Sequence, residues 1–477
     1  MSDNTFQTKE FKDNLQKYEA AHKEGSSVYL EPDEYTDIAE YYHLHGRLAD
    51  ALDAIDLALQ IFPGATEPLA FRARVAILLG HNAEEAMRYA NMIEDKHDLD
   101  YYYIVAEILI ADGHADDAER YLEKREKEVD EDDLEDYFLD VATLFADYDA
   151  FDKAEDWLSY CQDTTEEDYQ ELQGRIAISK GHFNEAKKIF NALIDKDAYH
   201  SSYWDMLASA QYLENDVSSS LESSEFALAI DPDDTDALLN KANCLTTIGN
   251  YDGAIEFYQH YKHLQPQSEA GDMGIAAVLM AQEKFNDSLR HWEIAERLCS
   301  PQSVNRMDIY RNECFVYATL NQFDEAFHYV DKLEELTNGK TPDTLVLRGY
   351  LNLLAMEGAK ALDYFKQAYS ITSDSEKDNT LWFVAYCYFD CNYMQEAHDI
   401  LRKLTKSKNS KNFTDLWAYL VRTDYELGLQ DEFLDDLKKA TERNLYGIQR
   451  ELSDIFPKGM AAGDFYNYAI HHPIKKR

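Results

Sequence analysis

Across 477 residues the chain carries only nine prolines and eighteen glycines. A multidomain chain of strands and loops needs more of both at its turns. Alternating polar and β-branched runs, the mark of half-buried strands, are also scarce, so the expected class is helical. No run approaches the ~18 consecutive apolar residues of a membrane span. The longest uncharged aromatic stretch, Leu381 to Phe389, is half that length. Met1-Ser-Asp-Asn-Thr5 leads into a charged segment with no apolar centre, so no secretory leader is expected. The six cysteines (Cys161, Cys244, Cys299, Cys314, Cys387, Cys391) are scattered through helical patterns. That distribution suits reduced, buried thiols of a cytoplasmic protein better than a disulfide framework.

Positive charge is short as well. The 46 basic side chains stand against 92 acidic ones, a formal net of −46. Such a surface repels phosphate backbones and anionic headgroups, which disfavours nucleic acid and membrane surfaces as partners. It favours solubility and steers basic partners. Apolar residues make up 45%, enough for a continuous core, but the chain is too long for one ordinary globular domain. Several domains or a repeat array are expected.

Self-similarity decides between them. Asn184-Glu-Ala-Lys-Lys-Ile-Phe190, Gly253-Ala-Ile-Glu-Phe-Tyr258 and Asp324-Glu-Ala-Phe-His-Tyr-Val330 each follow a turn residue and an aromatic. Aligned on their small residue they extend to a ladder: Ala51, Ala86, Ala118, Ala154, Ala186, Ser220, Ala254, Ser288, Ala326, Ala361 and Ala397. Twelve places earlier stands a second small residue: Ala39, Ala106, Ala142, Gly174, Ala208, Ala242, Ala276, Cys314, Gly349 and Ala385. The second unit has Arg74 there with Ala73 beside it, read as a one-residue insertion. A twelfth unit from about Thr414 keeps its turn at Gly428 and has Phe433 near the small residue's place.

Two antiparallel helices approach closely only where the facing side chains are small, with bulky residues one turn away filling the grooves. Glycine or asparagine in the turn supplies the left-handed conformation that ends the first helix. Pro63, Pro232 and Pro266 stop the second.

This pattern resembles the tetratricopeptide repeat family. From Ser201 to Asp234, Trp204, Leu207, Ala208, Ala227 and Pro232 fall at the family's characteristic spacing, softened by Ser220 and Ser224. The resemblance implies an all-α, right-handed superhelical solenoid of tandem antiparallel helix pairs. The expected division is a capping helix over 1–31, an array over 32–446 and capping helices with a short basic tail over 447–477. Units are expected to start near 32, 67, 99, 135, 167, 201, 235, 269, 307, 342, 378 and 414. The amino-terminal cap has Phe11, Leu15 and Tyr18 at helical spacing. The carboxyl-terminal cap has Leu452, Ile455, Phe456, Phe465 and Tyr468, interrupted at Pro457.

The resemblance also implies that the first helix of each pair lines a concave face where peptides dock, with four positions per unit pointing into it. These are polar or acidic early in the chain: Asp33, Thr36, Glu40, Asp100, Glu107, Asp136, Asp168, Glu171 and Asp205. They turn neutral at Asn240, Asn243, Thr246 and Met273, then aromatic at Tyr350, Trp382, Tyr386, Phe389 and Tyr419, the last beside Arg422 and Tyr425. The candidate partner-binding residues are therefore Asn240, Asn243, Tyr350, Trp382, Tyr386, Phe389, Tyr419, Arg422 and Tyr425. Trp382, Tyr386 and Phe389 make a second apolar stripe on a helix whose Leu381, Ala385 and Tyr388 already face a core. A helix apolar on both faces must be covered on both, by a ligand or by neighbouring repeats. Asn243 matches one position of the family's carboxylate clamp, but the expected lysines are absent and the local field is negative.

No catalytic chemistry stands out. Glycines occur singly, without a phosphate-cradling loop. His43-Leu-His45 sets its rings about 200° apart on a helix, and Cys387 with Cys391 offers two thiols without further ligands. No catalytic residues, metal or cofactor are expected. The expected function is a non-catalytic scaffold holding a basic or amphipathic protein segment, with aromatic anchors late in the chain and acidic steering early. The alternatives are a self-assembling homodimer and an acidic decoy that competes with nucleic acid for a basic protein.

Overall fold

Helix formers set at helical spacing, with breakers confined to short gaps, leave the chain one regular structure to adopt. The computed structural model describes residue 6 and residues 8–24, 26, 28–78, 82–300, 303 and 305–472. Among the described residues every regular element is helical, and no helix is long and apolar enough to cross a membrane. The chain divides into two compact units, Met1–Val278 and Leu279–Arg477. The division falls within the helix Ala270–Ala281.

The first unit opens with the helix Lys9–Glu24, followed by helix pairs running from Pro32–Leu44 with Leu48–Ile61 to Thr235–Thr247 with Tyr251–Leu264. Tyr18 of the opening helix packs on Tyr35 and Tyr42 of the first pair, each ring centroid 6.3 Å away. Within the pairs the small residues meet as the spacing requires. Ala39, Ala51, Ala106, Ala118, Ala142, Ala154, Ala242 and Ala254 are all completely buried. In the second pair Ala73 is the completely buried residue, and Arg74 turns aside to bond Glu107 at 2.9 Å. Ser220 takes the place of alanine because its hydroxyl donates to the Ala208 carbonyl across the helix crossing at 2.8 Å. Without that acceptor a buried hydroxyl would be costly. Ahead of the next pair, the Asp234 carboxylate caps the helix Thr235–Thr247 by accepting from the backbone N–H groups of Asp236 and Ala237.

The second unit holds the helix Phe285–Leu298 and four pairs. These are Asn305–Thr319 with Phe323–Leu336, Pro342–Leu354 with Gly358–Ile371, Lys377–Asp390 with Met394–Leu404, and Leu416–Leu427 with Gln430–Thr441. Two short helices, Leu445–Leu452 and Phe465–His471, close it. Phe456 and Phe465 stack there with centroids 4.0 Å apart. Gly349 is a crossing point at its tightest: a Cβ placed on it would lie 2.2 Å from the Phe365 ring.

Nearly every pair turns through three residues whose middle one has positive φ. Glycine and asparagine fill that place at Gly46, Gly113, Gly181, Asn215, Gly249, Asn321 and Asn392. Asp149, Glu283 and Met356 adopt the same conformation without glycine's freedom, because the helices on both sides dictate it.

Two stability outcomes follow from this geometry. Gly349→Ala forces a methyl into the Phe365 ring and should cost about 1–3 kcal/mol in urea unfolding. Met356 has φ 63 and is 88% exposed, so Met356→Gly relieves backbone strain without losing core. It should raise stability by about 1 kcal/mol.

Candidate functional site

Three first helices of the second unit present the residue immediately after their crossing-point small residue to one groove. In the second unit these residues are Phe315, Tyr350 and Tyr386, one per repeat, following Cys314, Gly349 and Ala385. The Phe315 and Tyr350 rings meet edge to face at 6.0 Å. Around them opens a groove of about 910 Å³, whose walls also include Met307, Leu347, Trp382, Phe383, Cys387 and Tyr419. Phe383 is 53% exposed, and Tyr386, tilted against Tyr419 at 6.0 Å, is 44% exposed, a costly display for aromatic rings. Charge is sparse on the walls, which carry Arg311 and Asp343. Arg311 is engaged by Asp308 at 2.9 Å. At the rim the Tyr350 hydroxyl donates to Asp390 at 2.6 Å.

The groove brings together Tyr350, Trp382, Tyr386 and Tyr419 of the residues expected from sequence. The stripe on Lys377–Asp390 is covered in part by the next repeat. Trp382 stacks on Phe413 at 5.3 Å and on Tyr419 at 5.7 Å, and Phe389 packs on Tyr419 at 4.6 Å. Tyr386 keeps its open face. Arg422 and Tyr425 lie outside the groove walls. The Arg422 guanidinium joins the last pair to the terminal segment, donating to the Glu451 carbonyl at 3.1 Å and to Asp454 at 2.7 Å. Tyr425 packs toward Phe433. Asn240 and Asn243 belong to the first unit and serve its packing. Asn240 donates to the Ser209 hydroxyl at 3.1 Å, and Asn243 accepts from the Tyr258 hydroxyl at 2.5 Å.

Sequence reading missed Phe315, Phe383 and Leu347. Phe315 could have been found, since it holds the repeat position that Tyr350 and Tyr386 hold in the next two repeats. Phe383 carried no such signal.

One cluster in the second unit has the donor set of a metal centre. Ligand atoms of His398, Asp424 and Glu432 lie within 4.8 Å of one another. The Arg402 guanidinium fills the space between them: its Nη2 is 3.0 Å from Asp424 Oδ1, 2.6 Å from Glu432 Oε2 and 3.2 Å from His398 Nε2. Arg402 also bonds Asp436. A resident cation already balances these carboxylates, so the residues do not fit an added metal. The cluster is an ion network binding the eleventh repeat to the twelfth, where Phe433 replaces the small crossing residue.

Buried carboxyls recur elsewhere. Glu313 is completely buried; burial, then the neighbouring Glu296 carboxylate, push its carboxyl up to about 8. Burial raises the Asp424 carboxyl, and the Arg402 guanidinium beside it pulls it back down.

Comparison with known proteins locates the repeat. The profile of the tetratricopeptide repeat family matches residues 212–278. No curated protein matches the chain. Among solved structures, yeast Tom70 is similar at 12% identity and TM-score 0.48, over 92% of this chain and 96% of that one. The Cut9–Hcn1 hetero-tetramer of the APC/C is similar at 14% identity and TM-score 0.42, over 88% and 90%. A tetratricopeptide repeat protein of Parabacteroides merdae is similar at 16% identity and TM-score 0.40, over 53% and 98%. The profile match covers residues 212–278 alone; outside it the helix pairs share the fold.

The buried carboxyls set a pH dependence. Folded Glu313 is raised to about 8, against 4.5 for the free group, so the folded chain holds a proton that the unfolded chain releases. Its stability contribution is fully present below about pH 4.5 and is lost as pH rises through 8. The urea midpoint should fall between pH 5 and pH 8. Glu313→Gln should remove part of that fall, on the order of 2 kcal/mol.

Proposed function

We propose that this tetratricopeptide-type array is a protein-interaction scaffold whose second unit grips an amphipathic segment of a partner through its aromatic groove. The supporting observation is the open aromatic row: Tyr386 and Phe383 stand exposed beside Phe315 and Tyr350 around about 910 Å³. Tryptophan and tyrosine in such a setting carry a disproportionate share of interface energy, and two or three anchoring side chains fit the space. Trp382 forms a floor held in place by Phe413 and Tyr419, so the recognition surface is ordered before the ligand arrives. That lowers the entropic cost of binding.

The net charge of −46 favours a partner segment with basic residues. Asp343 on the groove wall makes no ion pair among the described residues, and Asp390 at the rim makes none either. The reading is non-catalytic, since nothing around the groove sets a nucleophile beside a base. It takes the chain to be cytoplasmic, supported by six cysteines over both units that form no disulfide among the described residues.

The test is affinity capture at physiological salt with wild type and with Phe383→Ala/Tyr386→Ala. Both rings are exposed, so the melting temperature of the double variant should match wild type. A partner bound by wild type should lose at least tenfold in affinity, about 1.4 kcal/mol. Equal affinity for both chains would remove the groove from the function.

A further inference from the structure

We propose that the link between the eleventh and twelfth repeats, residues 405–415, forms with Lys403 and Arg443 a docking surface for an acidic protein segment with apolar side chains among its carboxylates. It goes beyond the groove reading and uses none of the residues that line the groove.

The sequence departs from its own average here. The chain has two acids for every base, yet residues 400–414 hold Arg402, Lys403, Lys406, Lys408 and Lys411 and no acid at all. Arg402 turns inward to the ion network described above. Lys403, Lys406, Lys408 and Lys411 are exposed and make no ion pair among the described residues. Other cations of the second unit, Lys332, Arg348 and Arg450, each take an acid. The four lysines therefore join no elements together, and their charge is left for something outside the fold.

The link that carries them is held at both ends. Near its start the Ser407 hydroxyl donates to Asp378, and the Asn409 side chain donates to the same carboxylate at 3.1 Å. Near its end Phe413 is buried against Trp382. Asn444 donates to the Thr414 carbonyl at 3.1 Å and to Asp415 at 2.8 Å. These anchors bring further cations to the link. Next to Asp378 stands Lys377, which shares the Tyr369 ring with Lys403, their ammonium groups 5.3 and 5.5 Å from its centroid. Next to Asn444 stands Arg443, whose guanidinium lies 4.5 Å over Trp417. Stacking fixes the guanidinium plane, and its N–H groups have no acceptor among the described residues.

Apolar surface accompanies the charge. Leu445 and Tyr446 follow Asn444 directly and are 50% and 78% exposed. Bare cations beside bare apolar side chains complement a segment in which acids alternate with apolar residues. The net charge of −46 does not forbid such a ligand, because exposed charges more than ~8–10 Å away are largely screened. A flat anionic membrane is a poorer complement. It would also meet Asp374, Glu376 and Glu442, which stand exposed on the flanks. A narrow chain can follow the link and avoid them.

The test measures the anisotropy of fluorescent twelve-residue peptides with the full-length chain at about 0.1 M salt. Four repeats of Glu-Leu-Glu should bind at least tenfold more tightly than four of Gln-Leu-Gln, and severalfold more tightly than four of Glu-Ser-Glu. Lys406→Gln/Lys408→Gln/Lys411→Gln should lose at least tenfold of that binding with an unchanged melt, since all three side chains are exposed. The same change of charge at exposed lysines elsewhere, Lys188→Gln/Lys284→Gln/Lys340→Gln, should leave it intact. Equal loss in the two lysine variants, or no preference for the glutamate peptides, would overturn the proposal. Loss in Phe383→Ala/Tyr386→Ala instead would move the peptide to the groove and overturn it as well. Phosphatidylserine vesicles bound by wild type and released by the link variant, with the peptides unbound, would give the face to a membrane. A light-scattering mass of twice 55.2 kDa, halved in the link variant, would give it to a second copy. Either of these results would also sink the proposal.

Discussion

Everything in this chain depends on how closely two helices can approach at one point per pair. Where Ala39 meets Ala51, or Ala242 meets Ala254, no side chain intervenes and each of these residues is completely buried. The crossing fixes the register of the first helix against the second, and the register decides which residue looks outward beside it. That residue is Glu40, Arg74, Glu107, Thr143, Arg175, Ser209 or Asn243 in the first unit and Phe315, Tyr350 or Tyr386 in the second. The same mechanical rule thus sets a polar row in one unit and an aromatic row in the other. The outward residues differ between the units while the packing does not.

The fold class was legible for this reason. A steric requirement repeated about every 34 residues leaves a periodic trace of small residues, and no property of the outer surface can erase it. Even the irregular second repeat could be read, since Ala73 stays in the core and Arg74 is displaced outward. The candidate site was legible only in part. Helical spacing identified Trp382, Tyr386 and Phe389 as one stripe. It could not say that Phe413, in the link between two repeats, would lie against Trp382, because links carry no period. For the same reason Arg422 gave no sign of its partner Asp454. The network around Arg402 draws on three helices with no common spacing, and only coordinates assemble it.

The charge distribution has its own logic. With twice as many acids as bases, every lysine or arginine placed in one ion pair is withheld from another carboxylate. Lys153, Lys180 and Lys187 join neighbouring helices, and surface pairs of that kind contribute at most about 1 kcal/mol each. The larger effect is the surplus itself, which leaves at least half of the carboxylates with no cation of their own.

The three-residue turns constrain how such a chain can change length over generations. A helix advances about 100° per residue, so one added residue inside a turn would swing the second helix's small residue away from its crossing point. The turns at Gly46, Gly113, Gly181, Gly249 and Asn392 accordingly keep the same length. The links between pairs carry no such demand. They vary from Phe62–Ala65 to the longer passages Glu126–Asp133 and Thr405–Asp415, which include short 3-10 turns. Insertions, deletions and grafted tags should be tolerated in those passages, and the periodic part of the chain should remain fixed around them.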